Sequence, residues 1–212
     1  MSDTEEIRGK KVLLKFEGAR CIHSRQCVLS RPDVFVPNVD GEWIHPDNAT
    51  PDELAALAQS CPSGAISVQP LDGSKGESAP IVNLARIREN GPIALHAELE
   101  IEGQAPRFRA TLCRCGASKS KPYCDGSHVA AGFTATGEPP LVESKALTTR
   151  NGKLKVTPAK NGPLLLEGNV EVVTGTGHTV NRVDKCALCR CGQSAKKPYC
   201  DGTHARVGFK SE

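Results

Sequence analysis

The chain has 212 residues, of which 38% are hydrophobic and only 4% aromatic; its 20 Gly and 15 Pro make it turn-rich without reaching the roughly 25–30% Gly plus Pro of low-complexity chains. Its 27 basic and 24 acidic residues leave a net charge of +3 scattered along the sequence, which gives no nucleic-acid footprint. No apolar run approaches the ~18 residues of a membrane span.

The opening MSDTEEIRGKK lacks both the apolar stretch of a secretion signal and the Arg-rich, acid-poor character of a transit peptide, so a cytoplasmic protein is expected. In a reducing compartment, ten cysteines point to metal chemistry rather than disulfides. Val12 to Phe16 reads as a strand. Thr50-Pro51-Asp52-Glu53 supplies an N-cap, a first-turn proline and first-turn acids, predicting a short helix that ends near Cys61-Pro62. A strand at Ile66 to Gln69 completes a strand, loop, strand, helix, strand unit of α+β type, spanning residues 1–72.

The small polar segment PLDGSKGESAP places a linker at residues 73–80. Beyond it, Pro92 to Ile101 and Pro163 to Val173 read as strands between turns, within pieces spanning residues 81–136 and 152–212. A second linker is expected at residues 137–151. Pieces of ~60–70 residues are near the size at which an apolar core is marginal and a metal commonly supplies the missing stability.

The two later pieces are copies. Leu112 to Phe133 and Leu188 to Phe209 match without gaps at 15 of 22 positions, 76 residues apart, and each follows an Asn-Gly-Pro turn with apolar strands. Two copies are too few for a solenoid, so they are expected to pair with each other. Each carries C-x-C-x2-S-x3-P-x-C-D-G-(S/T)-H: Cys113, Cys115, Ser118, Pro122, Cys124, Asp125, Gly126 and His128, then Cys189, Cys191, Ser194, Pro198, Cys200, Asp201, Gly202 and His204.

Residues i and i+2 of an extended segment point the same way, so Cys113 and Cys115 can chelate one metal atom. Cys124 and His128 share a face if they lie on a helical turn, and can grip a second. A turn beginning near Asp125-Gly126 would aim its free N–H groups at an anionic centre, with Gly126 allowing close backbone approach and Pro122 fixing the loop. Ser118, Asp125 and Gly126, with Ser194, Asp201 and Gly202, are therefore the residues expected around the cofactor. Zinc accepts the same Cys3His donor set in tetrahedral geometry, although C-x-C followed by C-x3-H is not its usual paired-knuckle spacing.

Both loops resemble the CDGSH iron-sulfur domain family, over about residues 81–135 and 152–210. The resemblance implies a 2Fe-2S cluster in each copy, held by Cys113, Cys115, Cys124 and His128 and by Cys189, Cys191, Cys200 and His204. It also implies a β-rich cap packed on a cluster-binding lobe, with the tandem copies forming an intramolecular pseudo-dimer in a monomeric chain.

In the N-terminal piece, Cys21, Cys27 and Cys61-Pro62 invite comparison with the ferredoxin run C-x2-C-x2-C-x3-C-P, in whose register residue 24 is Ser rather than Cys. With PDVF, WIHPD and CPSGAI around them, these residues resemble the divergent 4Fe-4S mono-cluster, ferredoxin-like domains over about residues 8–70. Three thiolates suit a 3Fe-4S cluster, or a 4Fe-4S cluster whose fourth iron takes His23, Ser24 or solvent. The alternative is a vestigial fold with three buried cysteines.

Cys186 reads as a small buried residue, His45, His96 and His178 as ordinary surface or loop histidines, and Gly175-Thr176-Gly177 as a hairpin turn. Lys119, Lys121, Lys196 and Lys197 form a solvated face able to attract an acidic partner. No nucleophile–base pair, phosphate loop or flavin fingerprint is visible, so the expected work is one-electron transfer with a redox partner protein rather than catalysis. Delivery of clusters to apo-proteins is the alternative, and a zinc-stabilised interaction module a third.

The His ligand generates a prediction. Replacing one thiolate by neutral imidazole leaves a cluster less negative, and the non-coordinating nitrogen can take a proton. Reduction coupled to that proton makes the potential fall as pH rises from about 6 to about 8, and His→Cys at 128 and 204 removes the slope. A native potential that does not move with pH in a redox titration refutes the coupling.

Overall fold

The computed structural model describes residues 4–211, so the first three residues of the expected N-terminal domain and Glu212 of the last lie outside the described residues. The chain forms two compact units, Met1–Ser78 and Ala79–Glu212. Among the described residues no helix is long and apolar enough to cross a membrane.

The first unit is an antiparallel sheet in the order β1 (Thr4–Arg8), β2 (Val12–Glu17), β3 (Ile66–Pro70), covered by two helices, α1 (Gln26–Ser30) and α2 (Pro51–Ser60). Alternation in β2 turns Val12 and Leu14 inward beside Ile66 and Val68 of β3, while α2 presents Leu54, Leu57 and Ala58. The Thr50 hydroxyl accepts the Glu53 N–H at 3.3 Å and the Glu53 carboxylate accepts the Thr50 N–H at 2.8 Å, a reciprocal cap that fixes where α2 starts. The helix expected from the sequence is therefore present, as are the strands at residues 12 and 66. The middle strand is reduced to an isolated bridge between Phe35 and Ile44. β1 escaped the sequence reading because TEEIR is almost wholly exposed and shows no apolar alternation.

The second unit holds one six-stranded sheet built from both copies. The first copy contributes β4 (Leu84–Ile87), β5 (Ile93–Ile101) and β6 (Arg107–Leu112); the second contributes β7 (Lys153–Pro158), β8 (Leu164–Val173) and β9 (Thr179–Leu188). Within each copy the strands run antiparallel, but the copies also exchange partners. β4 pairs in parallel with β8, Ala85 opposite Val172, and β5 pairs in parallel with β7, Leu99 opposite Leu154. A single core results, including Ile87, Leu95 and Leu112 from one copy and Leu154, Leu166 and Leu188 from the other. β8 bends at a bulge between Glu167 and Val170, where Gly168 has φ +123° and a Cβ would stand 2.4 Å from the Lys153 carbonyl.

Four of these strands carry a weaker apolar signal than β5 and β8. β4 is four residues long, β6 buries Arg109 and Thr111 among its inward residues, and β7 and β9 alternate with Lys, Arg and Asn. The stretch at residues 137–151 is irregular yet pinned: Val142 donates to Val180 at 2.8 Å, and the Arg182 N–H to the Ser144 hydroxyl at 3.1 Å. Gly175 to Gly177 form the turn between β8 and β9, with Gly177 donating to Thr174. Cys186 lies in β9 opposite Leu166, and burial pushes its thiol up to about 12.

Asn83 is the polar knot of this unit. Fully buried, its side-chain amide donates to the Gly152 and Asn169 carbonyls, both at 2.9 Å, its N–H donates to Arg150 at 2.7 Å, and its carbonyl accepts from Glu171 at 2.9 Å. Replacing Asn83 by Ala removes both side-chain bonds that tie these segments together, for an expected loss of about 2 kcal/mol in urea unfolding of the protein.

Candidate metal centres

Each Cys-rich loop leaves the end of a core strand and is folded back by an isolated bridge, Leu112 with Tyr123 in the first copy and Leu188 with Tyr199 in the second. The Cys113 N–H donates to Pro122 at 2.8 Å and the Cys124 N–H to Thr111 at 2.9 Å; Cys189 and Cys200 repeat this with Pro198 and Ala187 at 2.7 and 2.9 Å. Cysteines eleven residues apart in sequence are thus held on adjacent segments. Both loops enter through a cis proline, Pro122 and Pro198.

The donors stand in pairs. Cys113 and Cys115 sulfurs are 3.7 Å apart, and Cys124 Sγ is 3.4 Å from His128 Nδ1; in the second loop the pairs are 3.8 Å for Cys189 and Cys191 and 3.3 Å for Cys200 and His204. Among the described residues no three His, Cys, Asp or Glu side chains converge on one ion-sized point. Two pairs of donors suit a binuclear centre with two protein ligands on each metal. All ten cysteines are thiols rather than disulfides.

The helical turn differs from the sequence expectation in one respect. Helices α3 (Ser127–Ala130) and α4 (Thr203–Arg206) carry His128 and His204 but begin after Cys124 and Cys200. The pairs form because Gly126 and Gly202 take left-handed conformations, φ +84° and +83°, and turn the chain between cysteine and histidine. Open space around both positions assigns these glycines a conformational role.

Backbone N–H groups face the sulfurs: Ala117 to Cys115 and Gln193 to Cys191, each at 3.4 Å, and Gly202 to Cys200 at 3.5 Å. The Cys115 thiol and then loop N–H groups pull Cys113 down, while that same hydrogen bond and burial push Cys115 up. Burial raises Cys124 to about 11 and lowers His128, keeping its imidazole neutral.

Ser118 and Asp125 build the loop. The Ser118 hydroxyl donates to Tyr123 at 2.6 Å and accepts from the Ser120 N–H at 3.0 Å, while the Asp125 carboxylate accepts the Lys119 and Ser127 N–H groups at 2.8 and 3.0 Å. Against an opposing effect of burial, these N–H groups hold Asp125 at about 2. Ser194 and Asp201 make the same bonds. Lys121 and Lys197 are tied to the Ser118 and Ser194 carbonyls, so they brace the loops as well as charging the face.

Sequence reasoning passed over the residue between the paired cysteines. Arg114 is 1% exposed, donates to the Gly91, Thr136, Arg88 and Ala135 carbonyls at 2.6–3.2 Å and stacks 5.4 Å from the Phe133 ring. Arg190 repeats this with Gly162, Ala159 and Phe209. Burial lowers both guanidinium pKa values, opposed for Arg114 by Cys189 and for Arg190 by Cys113, so each cation senses a cysteine of the other copy. The loops also meet at Gly116 and Gly192: a Cβ on either would stand 2.8 or 2.6 Å from the carbonyl of Cys191 or Cys115. The identity of C-R-C-G in both copies was the available signal.

In the N-terminal unit, Cys21, Cys27 and Cys61 line one cavity of about 570 Å³, with Trp43 and Phe16 among its walls. Cys61 lies 3.5 Å from the Ser63 hydroxyl, and backbone N–H groups at His23 and Val28 act to lower the Cys21 and Cys27 thiols. Burial raises the Cys21 and Cys27 thiols, and Cys61 adds to both shifts. The structure thus brings Cys61, distant in sequence, to the same cavity as Cys21 and Cys27. Among the histidines outside the motifs, His96 is half-buried opposite Arg109, and burial followed by that cation lowers its pKa.

Arg114→Ala strands four carbonyls and removes the buried cation, with an expected cost of about 3 kcal/mol; Arg114→Lys recovers only part of it, because a single ammonium cannot reproduce the fork. Denaturant unfolding of the two variants measures both effects.

Comparison with known proteins agrees with this geometry. The profile described as "Iron-binding zinc finger CDGSH type" matches residues 90–129 and 161–205, and the profile "Divergent 4Fe-4S mono-cluster" matches residues 7–70. CDGSH iron-sulfur domain-containing protein 2 homolog A of Branchiostoma floridae is 30% identical over 101 residues, covering 46% of this chain and 68% of that protein. Two Cys-and-His loops on a shared sheet, the two profile matches that fall on them and this relative place the chain in the CDGSH iron-sulfur domain family.

Proposed function

We propose that the chain is a one-electron carrier with a 2Fe-2S cluster in each CDGSH loop, bound by Cys113, Cys115, Cys124 and His128 and by Cys189, Cys191, Cys200 and His204. The pairing of donors, two sulfurs 3.7 Å apart beside a sulfur and an imidazole nitrogen 3.4 Å apart, carries this reading. When bound, such a cluster supplies a site that accepts and releases one electron. His128 presents Nδ1 beside Cys124, so Nδ1 is the nitrogen that would bind iron and Nε2 the one left to exchange a proton. Arg114 and Arg190 provide buried positive charge opposite the thiolates, and Asp125 and Asp201 hold their loops rigid through backbone N–H groups.

The exchanged strand pairs support an intramolecular pseudo-dimer within a monomer, with β4 and β7 each completing the sheet of the other copy. The first unit is read as a ferredoxin-like domain whose Cys21, Cys27 and Cys61 hold a third cluster, of 3Fe-4S or 4Fe-4S type. The protein is placed in the cytoplasm, with a redox partner protein as electron donor or acceptor.

Iron, sulfide and zinc per chain, with an absorption spectrum of anaerobically purified protein, test this directly. About seven or eight irons are expected, about four would leave the first unit empty, and zinc without colour refutes the carrier. Mixing with an apo-ferredoxin separates the functions: a carrier keeps its iron, and transfer of the clusters shows a donor instead.

A further inference from the structure

In the register C-x2-C-x2-C, residues 21, 24 and 27 are the cysteine positions, and the middle one here is Ser24. We infer that the N-terminal cluster is anchored by Cys21, Cys27 and Cys61 alone, and that the iron facing Ser24 has no protein thiolate and exchanges with Fe2+ in solution. The inference rests on reading those cysteines as an iron-sulfur site.

The cavity carries it. All three thiols line one space of about 570 Å³, and Ser24, half-buried, lines the same space. The Cys61 sulfur also lies 3.5 Å from the Ser63 hydroxyl, a partner suited to a thiolate. Among the described lining residues there is no carboxylate and no fourth cysteine. His23 also lines the cavity, but it is exposed, at φ +52°. Three thiols therefore line the same space as the Ser24 hydroxyl, which is a weak iron ligand while it keeps its proton.

The chemistry balances without a co-reactant. Release of the corner iron breaks its three bonds to sulfide and takes one Fe2+ from a [4Fe-4S]2+ core, leaving [3Fe-4S]0. No electron is transferred, any water on the departing iron leaves with it, and uptake is the reverse. The site would thus bind ferrous iron in proportion to its supply.

The test uses the full-length protein, purified anaerobically, treated with a chelator and oxidised with ferricyanide before electron paramagnetic resonance. Oxidised 2Fe-2S centres are silent, so a spin-half signal reports a three-iron core. Native protein is expected to show that signal, and to lose it when Fe2+ and a reductant raise the iron content from about seven to about eight per chain. Ser24→Cys should abolish the cycle, while Ser24→Ala and His23→Ala should retain it; the native titration decides if Ser24→Cys does not accumulate. Three outcomes overturn the inference while leaving an N-terminal cluster in place: about eight irons with no signal after chelation, a Ser24→Cys protein that cycles like the native one, or loss of the four-iron form in His23→Ala. Only about four irons and four sulfides per chain, with no signal, removes the cluster itself and the inference with it.

Discussion

Each copy of the CDGSH sequence is near the size at which an apolar core is marginal, and the crossed parallel pairing of β4 with β8 and β5 with β7 joins the two into one core. One core of aliphatic residues replaces two marginal ones. Because the long strands β5 and β8 are both central to the shared sheet, the two loops emerge where their backbones meet at Gly116 and Gly192. A left-handed φ and a carbonyl under 3 Å from any Cβ leave glycine as the residue that fits.

Electrostatics follows from the same packing. A buried guanidinium is tolerated only when its donors are filled, and Arg114 and Arg190 fill theirs with the carbonyls of the Asn-Gly-Pro turn and, in the first copy, of the segment after the helix. These bonds tie the turn to the loop. Asn90 and Asn161 reinforce the tie by accepting from Ala135 and Ser211. The two sites are linked by backbone contact, where Gly116 meets the Cys191 carbonyl and Gly192 the Cys115 carbonyl.

The N-terminal unit solves a different problem. Its sheet and the capped helix α2 form a small core, and Cys61 sits where that helix ends, so the position of the third thiol depends on the Thr50 cap at the helix's other end. Phe16 and Phe35 meet Trp43 edge-on at 5.0 and 6.0 Å, so the wall beside the cysteines, made in part by Phe16 and Trp43, is backed by the core through Phe35.

The sequence by itself determined the elements whose signals are local. The capping residues of α2, the apolar runs of β5 and β8, and the repeated ligand spacing all depend on neighbours within a few residues. The pairing of each C-x-C and of each Cys with its His was legible for the same reason. Only the tertiary structure decided which strands of the two copies become neighbours, since β4, β6, β7 and β9 are short or carry buried polar residues such as Arg109, Thr111 and Asn181 that mask their inward faces. It likewise decided the role of C-R-C-G: an arginine between two cysteines reads as a surface charge until its carbonyl partners, 21 to 31 residues away, are brought around it. Burial of a cation depends on long-range closure, and local sequence carries no record of it.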